Sequence, residues 1–180
     1  MRELALHILD LAENSLRAGA TLIDIAVYRD PAQDILTITI ADNGCGMSSE
    51  QLARVADPFY STKNTRRTGL GIPLMAQAAE RAGGSFSIES RPGEGTRVRA
   101  VFRDSHIDRQ PMGDLAGMVT AVVLAGPEID LRLVCTCGPR AYALDTRELR
   151  RELDGLPLNT IEVLSFLRDN ITQNTAELVG

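Results

Sequence analysis

Residues 2–19 constrain the fold of this chain more than any other stretch. At about 100° per residue, Glu3, His7, Asp10, Asn14 and Arg17 fall on one narrow stripe, with Glu13 at its edge. Leu4, Ile8, Leu9, Leu11, Ala12 and Leu16 cover the remaining surface. Such a helix buries a wide apolar side and shows a single polar stripe. Gly19 is placed to end it, as the residue just past the last helical turn. Two strand-like runs follow, Thr21–Tyr28 and Asp34–Ile40, the second alternating from Leu36 onward, with the turn Asp30-Pro31-Ala32-Gln33 between them.

Further along, Asp42-Asn43-Gly44-Cys45-Gly46-Met47 is a glycine loop set directly after a strand, and Ser48-Ser49-Glu50-Gln51 opens a helix. Residues 57–69 are polar and long enough for a lid. Gly69-Leu70-Gly71 leads into a helix running to about Ala82. Strands over Ser85–Ser90 and Thr96–Phe102 flank the turn Arg91-Pro92-Gly93-Glu94-Gly95. The character changes after Arg103: Ser105–Gly113 reads as a linker. Beyond it a helix over Asp114–Ala125, a hairpin from Ile129–Cys135 and Ala141–Leu144, a short helix capped by Asp145 or Thr146, and a last helix over Ile161–Leu178 are expected. The domain reading is residues 1–104 as the main unit and 105–180 as a small α+β appendage that docks a partner or dimerises.

The net charge of −5 argues against a general nucleic-acid binder. No apolar run reaches the roughly 18 residues of a membrane span, and the N-terminal stretch carries acids where a signal peptide would not. Three cysteines make no disulfide framework, so a reducing cytoplasmic setting is expected. Cys135-Thr136-Cys137 lacks the further ligands of a structural zinc site, and the alternation of Leu131, Leu133 and Cys135 reads as one strand face. Of 19 basic residues, Lys63 alone is lysine.

Four features stand in order. Asp10 and Asn14 share the polar stripe one turn apart, and Asp42 opens the glycine loop. Lys63, Arg66 and Arg67 lie in the polar segment, and Gly69-Leu70-Gly71 begins a helix. A carboxylate accepts a hydrogen bond from an exocyclic amine such as that of adenine. Gly44 and Gly46 let backbone approach a purine closely. Asn14 offers one neutral oxygen to Mg²⁺, and Asp10 is placed to orient or deprotonate a nucleophile. The amides of Gly69, Leu70 and Gly71 form a helix N-terminus suited to anions. Each feature alone is a common turn or a solvated face; their shared order carries the reading. No Gly-x-x-x-x-Gly-Lys-Ser/Thr occurs, which excludes a P-loop.

This order resembles the GHKL superfamily of gyrase, heat-shock chaperone, histidine-kinase and mismatch-repair ATPases, over about residues 3–103. Leu11-Ala12-Glu13-Asn14-Ser15-Leu16-Arg17-Ala18-Gly19-Ala20 resembles its N box, in mismatch-repair wording. Asp42-Asn43-Gly44-Cys45-Gly46-Met47 matches Asp-x-Gly-x-Gly. Asp57-Pro58-Phe59-Tyr60-Ser61-Thr62-Lys63 with Thr68-Gly69-Leu70-Gly71-Ile72 resembles the histidine-kinase F box and second glycine box, and Gly95-Thr96 the late Gly-Thr element. The resemblance implies a Bergerat-type α/β two-layer sandwich, its mixed sheet covered on one face by helices, with ATP and Mg²⁺ as cofactors. It implies that Asn14 holds the metal, that Asp42 reads adenine with Thr96 in support, and that Met47 packs on the base. Lys63, Thr68, Gly69, Leu70 and Gly71 would serve the phosphates. Gyrase-like members carry glutamate where this chain has Asp10, which makes Asp10 the first candidate base and Glu13 the second. As phosphoacceptors His7 and His106 are weak candidates: His7, on the same stripe, reads as a polar-face histidine or one that supports a neighbouring site residue, and nothing beside His106 in the linker resembles a dimerisation helix. The implied activity is kinase-like, with transfer of the γ-phosphate to an unknown protein partner that carries the acceptor. The alternatives are an ATP-hydrolysing conformational switch and an ATP sensor without turnover. Nucleic acid and membrane are not expected as partners; a homodimer is permitted.

Overall fold

A computed structural model describes residues 3–56 and 71–179. Helix α1 (Leu4–Arg17) ends at Ala18, with Gly19 at φ 71° just beyond. Strands β1 (Leu22–Asp30) and β2 (Ile35–Asp42) form a hairpin, followed by helices α2 (Ser49–Ala56) and α3 (Gly71–Arg81) and strands β3 (Ser85–Arg91) and β4 (Gly95–Arg103). The second half contributes α4 (Leu115–Ala125), β5 (Asp130–Cys137), β6 (Arg140–Asp145), α5 (Thr146–Glu152) and α6 (Ile161–Val179). Asp114 caps α4 through Gly117 N–H, and Asp145 caps α5 through Arg147 N–H, each satisfying a free helical donor.

The six strands form one mixed sheet in the order β3-β4-β2-β1-β5-β6. All neighbours are antiparallel except β1 and β5, which run parallel with Ile25 opposite Leu133. Register places the buried apolar strand residues on one face: Ile25 lies opposite Ile40, Ile38 opposite Ala100, and Leu36 opposite Phe102. These side chains are buried under α1, α3 and α6. The other face carries Arg97, Arg99, Arg132, Asp24 and Tyr28, each partly or largely exposed. The expected α/β sandwich with helices over one face of a mixed sheet is therefore present.

Residues 105–180 are expected as a small appendage to the main unit. In the structure they extend the same sheet, because β5 hydrogen-bonds along the full length of β1. The linker also closes the first helix. Pro111 O accepts Leu4 N–H at 2.9 Å and Met112 O accepts Ala5 N–H at 2.8 Å. Two donors that a helix leaves free at its start are thus satisfied from the second half of the chain. Among the described residues, no helix is long and apolar enough to cross a membrane.

His7 differs from its expected place on an open polar stripe. It is buried, with Nε2 2.8 Å from Gln110 Oε1, because the linker lies over that end of α1. Burial holds its imidazole below the ordinary pKa of 6.5, against the raising effects of Gln110 and Asp10. An unfolded chain takes up this proton near pH 6.5 and the folded chain only at lower pH. Stability should therefore fall as pH drops below about 6.5. Urea denaturation between pH 7.5 and 5 should show this slope, and His7→Gln should flatten it. The cysteines give a second check. Cys135 and Cys137 both face the core, and burial pushes the Cys135 thiol up to about 12. A thiol reagent at neutral pH should label exposed Cys45 alone in the native state and all three cysteines in denaturant.

Candidate functional site

The site lies where α1, the end of β2 and the start of β4 meet. Asp42, the last residue of β2, is the centre. Its Oδ2 accepts the Ser15 hydroxyl at 2.6 Å, and its Oδ1 accepts the Gly44 amide at 2.9 Å. Both carboxylate oxygens are thereby fixed, one by helix and one by loop. The carboxylate can still accept further hydrogen bonds, since each oxygen offers two lone pairs. Ser15 is buried and shares its hydroxyl with Leu11 O at 3.3 Å.

The glycine loop is stapled in place. Asn43 Oδ1 accepts the amides of Thr21 and Leu22 at 2.8 and 2.9 Å, and its Nδ2 donates to Thr21 Oγ1 at 2.8 Å. Cys45 N–H donates to Ala18 O, and Cys45 O accepts Gly93 N–H. Met47 N–H donates to Ser90 Oγ at 2.9 Å, and that oxygen also lies 2.9 Å from Thr96 Oγ1. Thr96 sits opposite Asp42 in the β2–β4 register. One chain of polar contacts thus links the loop to both strands of the second hairpin.

A cavity of about 240 Å³ opens beside Asp42. Ile40, Val98, Ile72, Val55 and Met47 give it apolar walls, and Asn14, Ser15, Asp42 and Thr96 supply its polar atoms. A mostly apolar slot with a few fixed polar groups suits a flat heterocycle. The glycines fit this close packing. Gly46 has φ 64°, and a Cβ there would collide with Arg91 O. Gly71 begins α3 directly against α1: a Cβ there would come within 3.0 Å of Asp10 Cβ and 3.7 Å of Asn14 Nδ2.

Of the residues singled out from sequence, the structure brings Asn14, Asp42, Gly46, Met47 and Thr96 around the cavity. Gly44 supports Asp42 through its amide, and Gly71 brings the start of α3 against Asp10 and Asn14. Glu13 points away: it is exposed and pairs with Arg17 at 3.9 Å. Lys63, Thr68, Gly69 and Leu70 lie outside the described residues. Sequence reasoning missed Ser15 and Arg17 as site residues. Arg17 Nη2 donates to Asn14 Oδ1 at 2.6 Å. A serine in a helix reads as neutral, and only its place on the sheet side of α1 could have marked it.

A helix layer on a mixed sheet, with a pinned carboxylate at a glycine loop, defines the class of histidine-kinase-like ATPase folds. The sequence model of the histidine kinase-, DNA gyrase B- and HSP90-like ATPase family matches residues 2–106, and this chain belongs to that family. Among curated relatives, a non-motile and phage-resistance protein of Caulobacter vibrioides is 34% identical over 112 residues, 57% of this chain and 13% of that protein. A probable C4-dicarboxylate sensor kinase of Bacillus subtilis is 35% identical over 99 residues, 52% of this chain and 18% of that protein. The chain thus spans less than a fifth of either relative. In fold it is similar to the Aquifex aeolicus MutL ATPase domain complexed with ADP, with a TM-score of 0.54 at 14% identity, covering 94% of this chain and 88% of that domain. That likeness takes in the second half of the chain.

Because Gly46 combines positive φ with a backbone collision, Gly46→Ala should cost more than about 1 kcal/mol of stability. Gly93→Ala, where φ is 77° but no atom lies within 4 Å of the added Cβ, should cost less. Thermal unfolding of the two variants checks the order.

Proposed function

We propose that this chain binds Mg-ATP in the cleft beside Asp42 and passes the γ-phosphate to an acceptor on a partner protein. The observation that carries the nucleotide reading is the Asp42 carboxylate, fixed by Ser15 and Gly44 beside an apolar slot. As an ionised acceptor it suits the amine of adenine and rejects the carbonyl that guanine presents at the same place. Met47 and the aliphatic walls would hold the faces of the base. The ADP bound by the similar MutL domain supports the same ligand class. Sequence likeness to a sensor kinase supports transfer as the fate of the phosphate.

Asn14 fits the metal as a single neutral oxygen beside the cavity, and Arg17 would have to yield it. Among the described residues no group of three His, Cys, Asp or Glu could hold a metal ion. A magnesium ion here would therefore draw its other ligands from phosphate and water. When bound, it would neutralise phosphate charge. Gly71 and its neighbours at the start of α3 would offer amides to phosphate oxygens. Lys63, Thr68, Gly69 and Leu70 belong to this proposal as phosphate contacts.

A second reading, hydrolysis by a conformational switch, rests on Asp10. It is the acid packed against the start of α3, whereas Glu13 faces solvent. Asp10 is then the residue to accept a proton from an attacking water.

Calorimetry with Mg-ATP should show saturable association for the native chain. Asp42→Ala should weaken it by about ten- to a hundredfold, as expected for losing a charged hydrogen bond of about 1.5–3 kcal/mol. Unchanged binding in that variant would remove the adenine assignment. With γ-labelled ATP and candidate partners, label on protein supports transfer. Free phosphate that disappears in Asp10→Asn, with nucleotide affinity retained, supports the switch.

A further inference from the structure

Beside β5, α5 and the start of α6 leave an apolar groove of about 300 Å³. Leu149, Leu153, Leu156, Val163 and Phe166 line it. Leu156 is 58% exposed and Phe166 52% exposed, whereas Val163 and Leu167 of the same helix are buried in the core. Large apolar side chains left half in water beside a cavity mark an interaction surface.

The charges around the groove choose its occupant. At about 100° per residue, Glu148 and Glu152 lie on the flank of α5 next to Leu149. Arg150 lies on the other flank, where it holds Asp130, Pro127 O and Ile129 O. Arg147 is held by Asp145, and Arg168 by Asp114. On the facing wall Glu162 lines the groove directly, and Asp169 follows it two turns later on the same side of α6. Glu148, Glu152, Glu162 and Asp169 are exposed, and none of them forms an ion pair among the described residues. Arg151 is exposed and carries no ion pair among the described residues, but at about 100° per residue it lies on the opposite side of α5 from Leu149, so the rim beside the groove is acidic.

We propose that this groove docks a basic amphipathic helix of a partner protein, with aliphatic anchors entering between Leu153 and Phe166 and lysine or arginine meeting the acidic rim. A second copy of this chain fits poorly, because an isologous contact would bring the acidic rim against itself. The surface is separate from the nucleotide cleft and does not depend on the reading of that cleft.

The probe is a labelled synthetic peptide of leucine and lysine patterned as an amphipathic helix, followed by fluorescence anisotropy on the full chain. The native chain should bind it saturably, and a scrambled peptide of the same composition should bind at least tenfold more weakly. Leu156→Ala and Phe166→Ala should each weaken binding by about tenfold, the scale on which a central apolar anchor acts. Both residues are more than half exposed, so both variants should fold, which circular dichroism checks. Glu152→Lys with Glu162→Lys should exchange the preference toward a leucine–glutamate peptide, although the chain remains net negative. Equal affinity for patterned and scrambled peptides would overturn the proposal, as would native affinity in both alanine variants. Sedimentation showing a dimer that Leu156→Ala dissociates would overturn it in favour of self-association.

Discussion

The structure depends on burying α1 on nearly every side while leaving one edge polar. Leu4, Ala5, Ile8, Leu11 and Ala12 are each almost fully removed from water. The sheet and α3 cover part of this surface, and α4 covers another part. Burial of the aliphatic side chains alone contributes roughly 1.5–3 kcal/mol each against exposure. The helix therefore has little freedom to rotate about its axis. That rotational lock fixes the direction of Asp10, Asn14 and Ser15, and so the geometry of the cleft is a consequence of core packing. The 2.6 Å bond from Ser15 to Asp42 joins the two layers at the point where they separate to form the cavity.

The glycines extend the same argument to the backbone. Gly44, Gly46, Gly71 and Gly95 all sit where a Cβ would meet another segment within 3.0 Å. They are the places where α1, the glycine loop, α3 and the second hairpin touch. Their role is close approach between elements, with Gly46 and Gly95 adding the positive φ that other residues rarely adopt. A site built this way is held before any ligand arrives, which lowers the ordering cost of binding.

What sequence could disclose follows the range of each interaction. The strands, α1 and the Asp42 loop were legible because alternation, helical period and glycine spacing are local signals. The place of β5 was not. Leu131, Leu133 and Cys135 announce a strand with one buried face, but nothing local says that β1 is its partner. The parallel pairing with β1 arises only after α4 has carried the chain back across the sheet. His7 was misplaced for the same reason: its helical stripe is polar, and only the distant linker, through Gln110, Pro111 and Met112, removes it from water. Ser15 was overlooked because its value lies in a contact 27 residues away.

The second half of the chain also bears on the first in energetic terms. Without the linker, Leu4 and Ala5 would each carry an unpaired amide at the start of α1. Without α4 and β5, part of the apolar surface of α1 and an edge of β1 would meet water. An unpaired buried donor costs about 1–3 kcal/mol, and exposed aliphatic surface adds to it. Gly113, at φ 78°, passes so close to Glu3 that a Cβ there would force the Glu3 side chain to shift. The cleft residues on α1 thus owe part of their placement to residues that follow β4. Arg17, Asn14 and Asp10 stand on a helix whose start is tied to the linker and whose end is tied to the glycine loop through Ala18 O and Cys45 N–H. Any movement of α4 against α1 would act on that helix first. The packing between the two halves joins the helix that carries the cleft residues to the last helix of the chain, since α4 contacts both α1 and α6.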